Sequence, residues 1–400
     1  MKPKNYCIFS ITAAFQYKRV GGAETSLLQT AIQLAKTGQK VIYVYDNTLP
    51  VNKAQVAEFS KYGLRTVSLD IPWLSRCASL MHVKRYYQLF KTWRFLQILR
   101  RRRVDVVYSY YEPKAIRRLN ECKKKEGEFY WIMRMAGLFW YEDIVKTPGK
   151  IDLYQQCFAN VDCVNYIQPH LRELTDAKAL DVGLKMNWRD EFIWDIGCDA
   201  FGALSSKKIR TNKKSDTFRL ISATRFSVHQ KRQDVLVRAI AHCREHVDVH
   251  LTLVGDGKGK QRIIDLVESL GVADNVSFIP YLNQNELWSL LKTADLFCHP
   301  TDYEGLSKVV IEAINLGLPV LASDVPVLNN YLVDGENGFL VDNSPESWAE
   351  RIVYLYDNYD ILSGVATNAI SEFDSSAFNP QKQIKEFIAL TNAKLGKTDH

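Results

Sequence analysis

The sequence lacks a disulfide framework and any metal-ligand cysteine pattern. Its eight cysteines, at positions 7, 77, 122, 157, 163, 198, 243 and 298, are scattered and form no CxxC pair. A reducing, cytoplasmic setting follows as an expectation. No stretch approaches the roughly 18 consecutive apolar residues that a membrane span needs, and no charged segment leads into an apolar run at the start. The chain is therefore expected to be neither exported nor integral to a membrane. Neither half carries the GxGxxG fingerprint followed by a ribose-binding acid, which argues against a nicotinamide dehydrogenase. A strong charge imbalance is missing too: 52 basic residues face 45 acidic ones, a net charge of +7. Anionic small molecules, a membrane surface and nucleic acid all stay open on that ground.

Apolar material is abundant. Across 400 residues, 46% are hydrophobic and 12% aromatic, enough for two cores rather than one. β-branched runs alternate with helical patterns, the signature of parallel sheets with crossover helices. Strands are expected at Tyr6–Ile11, Lys40–Tyr45, Leu64–Leu69, Val104–Tyr110, Glu128–Arg134, Asp162–Ile167 and Phe192–Ile196. A second set is expected at Thr217–Ser222, Val249–Val254, Val276–Ile279, Leu296–His299, Pro319–Ala322 and Phe339–Val341. Between the sets, SSKKIRTNKKSD at 205–216 is polar and basic and reads as a linker, with a long loop inside one domain as the alternative. That gives one domain over 1–204 and another over 217–380. A last helix over 381–396 cannot be docked from sequence.

The most informative segment is DYEGLSKVVIEAINLGLPVLAS, Asp302–Ser323. It reads as a strand end, a turn holding Glu304 and Gly305, a helix over Leu306–Leu316, and a new strand after Gly317. Glu304 and Glu312 then lie about 12 Å apart along the helix. That is too far for one paired-carboxylate site and suits two sets of hydroxyls on an elongated ligand. The helix N-terminus between them favours a diphosphate. A sugar nucleotide has that layout. The alternative makes Glu304 a helix-dipole partner and Glu312 a satisfied buried carboxylate.

Arg225 and Lys231, in SATRFSVHQKR, fall in the first strand-to-helix loop of the second domain, at the carboxyl edge where open parallel sheets bind ligands. Two fixed cations there would stabilise the charge that grows on a leaving diphosphate. A solvated surface pair is the alternative. VGDGKGK, Val254–Lys260, and VGGAETSLL, Val20–Leu28, are strand-to-helix loops whose glycines permit close approach of a ligand; the first could equally be a simple turn. Met81–Arg103 holds eight basic and no acidic residues, with aromatic residues between them. One face must pack on the sheet. The other is cationic and suits anionic lipid, at about 1 kcal/mol per basic residue near the surface, or is simply solvated. A nucleic-acid surface lacks an accompanying motif, so no nucleic-acid partner is expected.

These residues together resemble the retaining glycosyltransferases of family 4. The most specific element is Glu304 with seven residues before Glu312, in EGLSKVVIEAINLGLPVLAS. The spacing of Arg225 and Lys231, the VGDG at Val254–Gly257, the GGAE at Gly21–Glu24 and the DGENGFLV at Asp334–Val341 support it. The resemblance implies the GT-B fold: α/β, two facing Rossmann-like domains with parallel sheets and an interdomain cleft. It implies sugar transfer from a nucleotide diphosphate sugar with retention, no cofactor and no required metal. It would set Glu304 on the donor sugar, Glu312 on the ribose, and Arg225 and Lys231 on the diphosphate. The amides of Gly305, Leu306 and Ser307 would lie against sugar and phosphates, Tyr281 near the base, and Gly21 and Gly22 opposite the diphosphate. Gly255 belongs to the same donor set, and the last helix would cross back to the first domain.

The chain departs from the family where many members carry a histidine after the fifth strand, since it reads RMAGLFW with Ala136 there. Arg134 and Glu112 are the acceptor-side candidates in its place, each with a structural role as the alternative. The acceptor expected is a saccharide or, if Met81–Arg103 meets a membrane, a lipid-linked saccharide, which would place the protein in surface polysaccharide or lipopolysaccharide assembly, peripheral at the inner face of the cytoplasmic membrane. Two rivals remain: a sugar-nucleotide epimerase, and an inactive sugar-nucleotide-binding relative.

Overall fold

A computed structural model of the chain describes residues 3–11, 22–46, 51–81, 83–110, 112–126, 129–194, 216–227, 230–304, 307–375 and 379–395. Two compact units divide the chain, Met1–Ile196 with Pro380–His400, and Gly197–Asn379. The expected linker falls, but for Asp216, outside the described residues.

In the first unit, strands β1 (Asn5–Ser10), β2 (Lys40–Tyr45), β3 (Arg65–Ser68), β4 (Val106–Tyr110), β5 (Tyr130–Met135), β6 (Cys163–Tyr166) and β7 (Asp190–Ile193) form an all-parallel sheet in the order β3-β2-β1-β4-β5-β6-β7. In the second, β8 (Phe218–Ala223), β9 (Val249–Val254), β10 (Val276–Ile279), β11 (Leu296–His299), β12 (Val320–Ser323) and β13 (Phe339–Val341) are ordered β10-β9-β8-β11-β12-β13, again parallel. Both are Rossmann-like α/β sheets. The strands read as unbroken apolar runs because helices cover both faces; β5 is buried at all six positions. Phe9, Phe95, Trp131 and Trp140 fill the first core, and Leu236, Ile240, Leu253 and Trp348 the second.

Each expected strand is present, within two residues except at β7. That strand begins two residues early at Asp190, whose carboxylate meets Lys394 Nζ at 2.8 Å and the Tyr130 hydroxyl at 3.0 Å, and ends at Ile193, the expected end at Ile196 lying outside the described residues.

Strand order reverses between β1 and β4, and again between β8 and β11. Crossovers from adjacent strands diverge there and open a crevice at the carboxyl edge. In the second unit the loops flanking that crevice are those after β8 and after β11, which carry Arg225, Lys231 and Glu304.

The last helix, Pro380–Leu395, packs on the first unit. Phe387 sits among the rings of Tyr6, Tyr108, Phe192 and Trp194, the nearest centroid being 4.6 Å away. Trp194 Nε1 donates to the Gln383 carbonyl at 2.9 Å, and the Tyr6 and Thr391 hydroxyls are 2.9 Å apart.

Two sequence expectations need correction. The helix placed at Leu306–Leu316 spans Lys308–Asn315, because Ser307 has an extended ψ of 90° and turns its hydroxyl away from the first turn. The basic helix, Lys84–Arg102, does not divide into an apolar inner and a cationic outer face. Lys91 points inward, 2.7 Å from Asp46 and 3.1 Å from Asp70, and Arg118 closes the network on Asp46 at 2.7 Å. Its outer face carries Tyr86, Leu89 and Trp93 as well as cations.

Because Phe387 is fully buried among four aromatic rings, Phe387→Ala is expected to lower unfolding stability by about 3–5 kcal/mol, as large-to-small core changes do. Urea unfolding followed by tryptophan emission checks this.

Candidate active site

The loops after β8 and β11 are stitched together by their own backbones. Asp302 N–H donates to the Gln230 carbonyl at 3.0 Å and Arg232 N–H to the Pro300 carbonyl at 3.2 Å. The Thr301 hydroxyl donates to the Gln230 carbonyl at 3.2 Å, and Arg232 Nη1 meets Asp302 at 2.9 Å. Ser227 Oγ accepts from the amides of Gln230 and Lys231 and so folds the first loop back. Lys231 and Thr301 form an antiparallel bridge.

This stitching carries Lys231 to Glu304, and the ammonium is hydrogen-bonded to Glu304 Oε2. His299, last residue of β11 and fully buried, approaches the same oxygen with Nε2 at 3.1 Å, and Ser307 Oγ lies 2.9 Å from that nitrogen. Burial alone would raise the Glu304 carboxyl. The His299 hydrogen bond and the Lys231 charge more than offset it and hold the group down at about 2. Burial lowers the His299 imidazole against the opposing pull of Glu304, so the ring is neutral. A neutral ring that donates from Nε2 leaves Nδ1 an acceptor, and Nδ1 is buried without a partner among the described residues. Arg225 is exposed in the same loop, its guanidinium without a partner among the described residues. The crevice therefore holds an ionised carboxylate, a cation bound to it and a second cation open to solvent.

The other candidates divide as follows. Glu312 is buried on the 308–315 helix, and Gln284 Nε2 donates to its Oε1 at 2.6 Å. Ser307 precedes that helix but leaves it without a side-chain cap, its hydroxyl being held at His299. Gly305, Leu306 and Gly21 lie outside the described residues; Gly22 opens the Gly22–Lys36 helix. Tyr281 is half-exposed after β10, with its amide on Asp256 Oδ2 at 3.2 Å.

Gly255 has φ +136° and Gly257 φ +156°, and a Cβ would lie 2.3 Å from the Thr224 carbonyl oxygen at the one and 2.1 Å from the Phe226 carbonyl oxygen at the other. The close approach that these glycines permit is thus to the loop after β8. Phe226 N–H donates to the Asp256 carbonyl at 3.1 Å across the same seam.

On the first unit, Arg134 is buried on β5, with Nη2 3.4 Å from Ser26 Oγ. Glu112 accepts from the Ala115 amide at 2.9 Å and so caps the Pro113–Glu126 helix. Burial raises its carboxyl, opposed by that amide and by Lys114. Sequence reasoning passed over His299, Ser227 and Gln284. His299 had a signal: a titratable residue ending an otherwise apolar strand, five residues before Glu304.

Comparison with known proteins bears on the second unit by sequence and on the whole chain by fold. Residues 205–371 match the family model of glycosyl transferases group 1. The D-inositol 3-phosphate glycosyltransferase of Paenarthrobacter aurescens is 31% identical over 168 residues, covering 40% of this chain and 41% of that protein, so the match spans about two fifths of the relative's length. Sucrose-phosphate synthase from Thermosynechococcus elongatus superposes with a TM-score of 0.72 at 19% identity, covering 98% of this chain and all of that one. The HepE protein of Anabaena, solved with UDP and glucose, gives a TM-score of 0.67 at 16% identity over 96% and 99%. These whole-chain likenesses show that the chain has the GT-B fold.

Two outcomes follow from the geometry. Gly257→Ala must push its methyl against a backbone oxygen at positive φ, and is expected to cost about 2 kcal/mol or more in urea unfolding. Glu304 has a folded-state value near 2 against an ordinary 4.5. Its stabilising contribution is complete above pH 4.5 and disappears as pH falls towards 2. The stability difference between wild type and Glu304→Gln is therefore expected to shrink across that window, measured by unfolding at pH 6, 4 and 3.

Proposed function

We propose that the protein is a retaining glycosyltransferase that moves a sugar from a nucleotide diphosphate sugar to a saccharide or lipid-linked saccharide acceptor. The observation that carries the reading is the crevice at the β8/β11 reversal, where Glu304 stays ionised beside Lys231, with Arg225 open to solvent and an uncapped helix N-terminus following. The group 1 match over 205–371 covers these residues. The UDP held by the HepE protein supports a nucleotide sugar as donor.

In this reading the acceptor oxygen attacks the anomeric carbon on the face that the diphosphate leaves. The bond from that carbon to the phosphate oxygen breaks, and the departing phosphate takes the acceptor proton. Arg225 and Lys231 meet the negative charge that grows on the diphosphate, so the proposal needs no metal and no cofactor. Glu304 accepts hydrogen bonds from donor-sugar hydroxyls, and Glu312 from the ribose, Gln284 giving way. Main-chain groups of Gly305, Leu306, Ser307 and Gly255, together with Tyr281, Gly21 and Gly22, complete the donor contacts. Arg134 and Glu112 serve the acceptor side, in surface polysaccharide or lipopolysaccharide assembly at the inner face of the cytoplasmic membrane.

Thermal unfolding in the presence of UDP, GDP, ADP and CMP tests the donor site. One nucleoside diphosphate is expected to raise the Tm, since binding the native state alone stabilises it, and Glu312→Ala is expected to abolish the shift. Arg225→Ala is expected to lower transfer by about 10²–10³-fold at unchanged Tm. Lys231→Ala is expected to lower both, because it strips a largely shielded carboxylate of its cation. Turnover by Arg225→Ala equal to wild type would remove the assignment.

A further inference from the structure

Six large apolar side chains of the first unit stand in solvent within a short stretch: Trp73, Leu80, Met81, Tyr86, Leu89 and Trp93. Tyr86, Leu89 and Trp93 follow i, i+3, i+7 spacing and share one face of the Lys84–Arg102 helix. Trp73 and Leu80 belong to the preceding helix, Pro72–Leu80, which packs beside it. Phe90, half-buried, stands 5.9 Å from Trp93 and 6.2 Å from Tyr87, so the exposed indole is backed by a ring ladder running into the core.

The helix cannot roll to hide this face. Its opposite side is pinned by Phe95, Leu96 and Leu99 in the core, by Lys91 on Asp46 and Asp70, and by the Tyr87 hydroxyl donating to Asp70 at 2.9 Å. Around the apolar face, Arg76, Lys84, Arg85 and the run Arg100–Arg103 are exposed. From Ile71 to Val104 the sequence contains nine lysines and arginines and no aspartate or glutamate. A single-sign surface with tryptophan and tyrosine at its centre and long cationic stems at its margins matches an anionic bilayer interface. There amphipathic rings lie at headgroup depth, and lysine and arginine reach the phosphates.

We propose that this helical pair docks the protein on an anionic lipid surface, with Trp73, Leu89 and Trp93 entering the interface and the flanking cations binding lipid phosphates. The proposal deepens the acceptor side of the transferase reading and rests on that reading for its purpose alone, since the docking chemistry is independent of turnover.

Flotation of the full chain with vesicles tests it. Wild type is expected to float with phosphatidylcholine vesicles containing phosphatidylglycerol, with a blue shift in tryptophan emission, and to stay behind with phosphatidylcholine alone. Raised salt is expected to weaken the association. The exposed-site variant Trp73→Ser/Leu89→Ser/Trp93→Ser is expected to reduce the floated fraction about tenfold, and Arg100→Glu/Arg101→Glu/Arg102→Glu to abolish it. No flotation of wild type, or flotation untouched in both variants, overturns the proposal. So does wild-type self-association that the apolar variant abolishes, which would give the face to a second copy. Nucleotide-induced stabilisation is measured on the same samples. If it is absent while lipid binding persists, the donor reading fails and the docking surface stands.

Discussion

A carboxylate in the interior keeps its charge only where donors and cations replace the water it has lost. Glu304 meets that condition with one ammonium and one imidazole N–H on a single oxygen, and much of the second unit's carboxyl edge follows from it. Lys231 comes from the loop after β8 and His299 from the end of β11, so the pair can form only if the two loops lie side by side. The hydrogen bonds around Gln230, Thr301 and Asp302 make them do so. The glycines at 255 and 257 extend the arrangement to a third loop, because only a residue without Cβ lets that backbone lie on Thr224 and Phe226.

The first unit solves a similar problem with a different outcome. Asp46, at the end of β2, and Asp70, after β3, are neutralised by Lys91, and Arg118 joins at Asp46. Two cations and two carboxylates balance. Such a cluster contributes little net stability over an apolar core, yet removing one member leaves a buried charge uncompensated. What it supplies is orientation: it fixes the rotation of the Lys84–Arg102 helix, and with it which residues of that helix face solvent.

The strands were legible because fully covered parallel strands are continuous apolar runs bounded by turns, a signal carried by each segment alone. Glu304, Arg225 and Lys231 were legible as residues of a carboxyl edge, because strand-to-helix loops place them there whatever the details of packing. The Glu304–Lys231 contact was not, since it spans 73 residues and depends on the β8–β11 adjacency that only topology supplies. The inward turn of Lys91 was illegible for a related reason. Helical spacing puts a lysine on a face, but its partners Asp46 and Asp70 sit at the ends of other strands, and burial of a charge has no periodic signature. Ser307 shows the limit at a single residue. The sequence sets it inside the helix, whereas it precedes the helix, and the donor that competes with the first-turn amides for its hydroxyl oxygen, His299 Nε2, ends a strand eight residues earlier.

That competition has a consequence for charge in the crevice. With Ser307 held by His299, the first turn of the 308–315 helix keeps its partial positive charge without a side-chain cap to satisfy it. Lys231 is already matched by Glu304, so among Arg225, Lys231 and Glu304 the surplus is a single positive charge. On the proposed reading a diphosphate carries more negative charge than that surplus balances, and the partial charge of the helix terminus adds to the compensation. A hydroxyl of the donor sugar that donates to Glu304 would in turn release part of Lys231 towards the phosphates. Sugar and diphosphate would then bind more tightly together than either alone. The pair would serve as a counterion held in reserve until the sugar arrives.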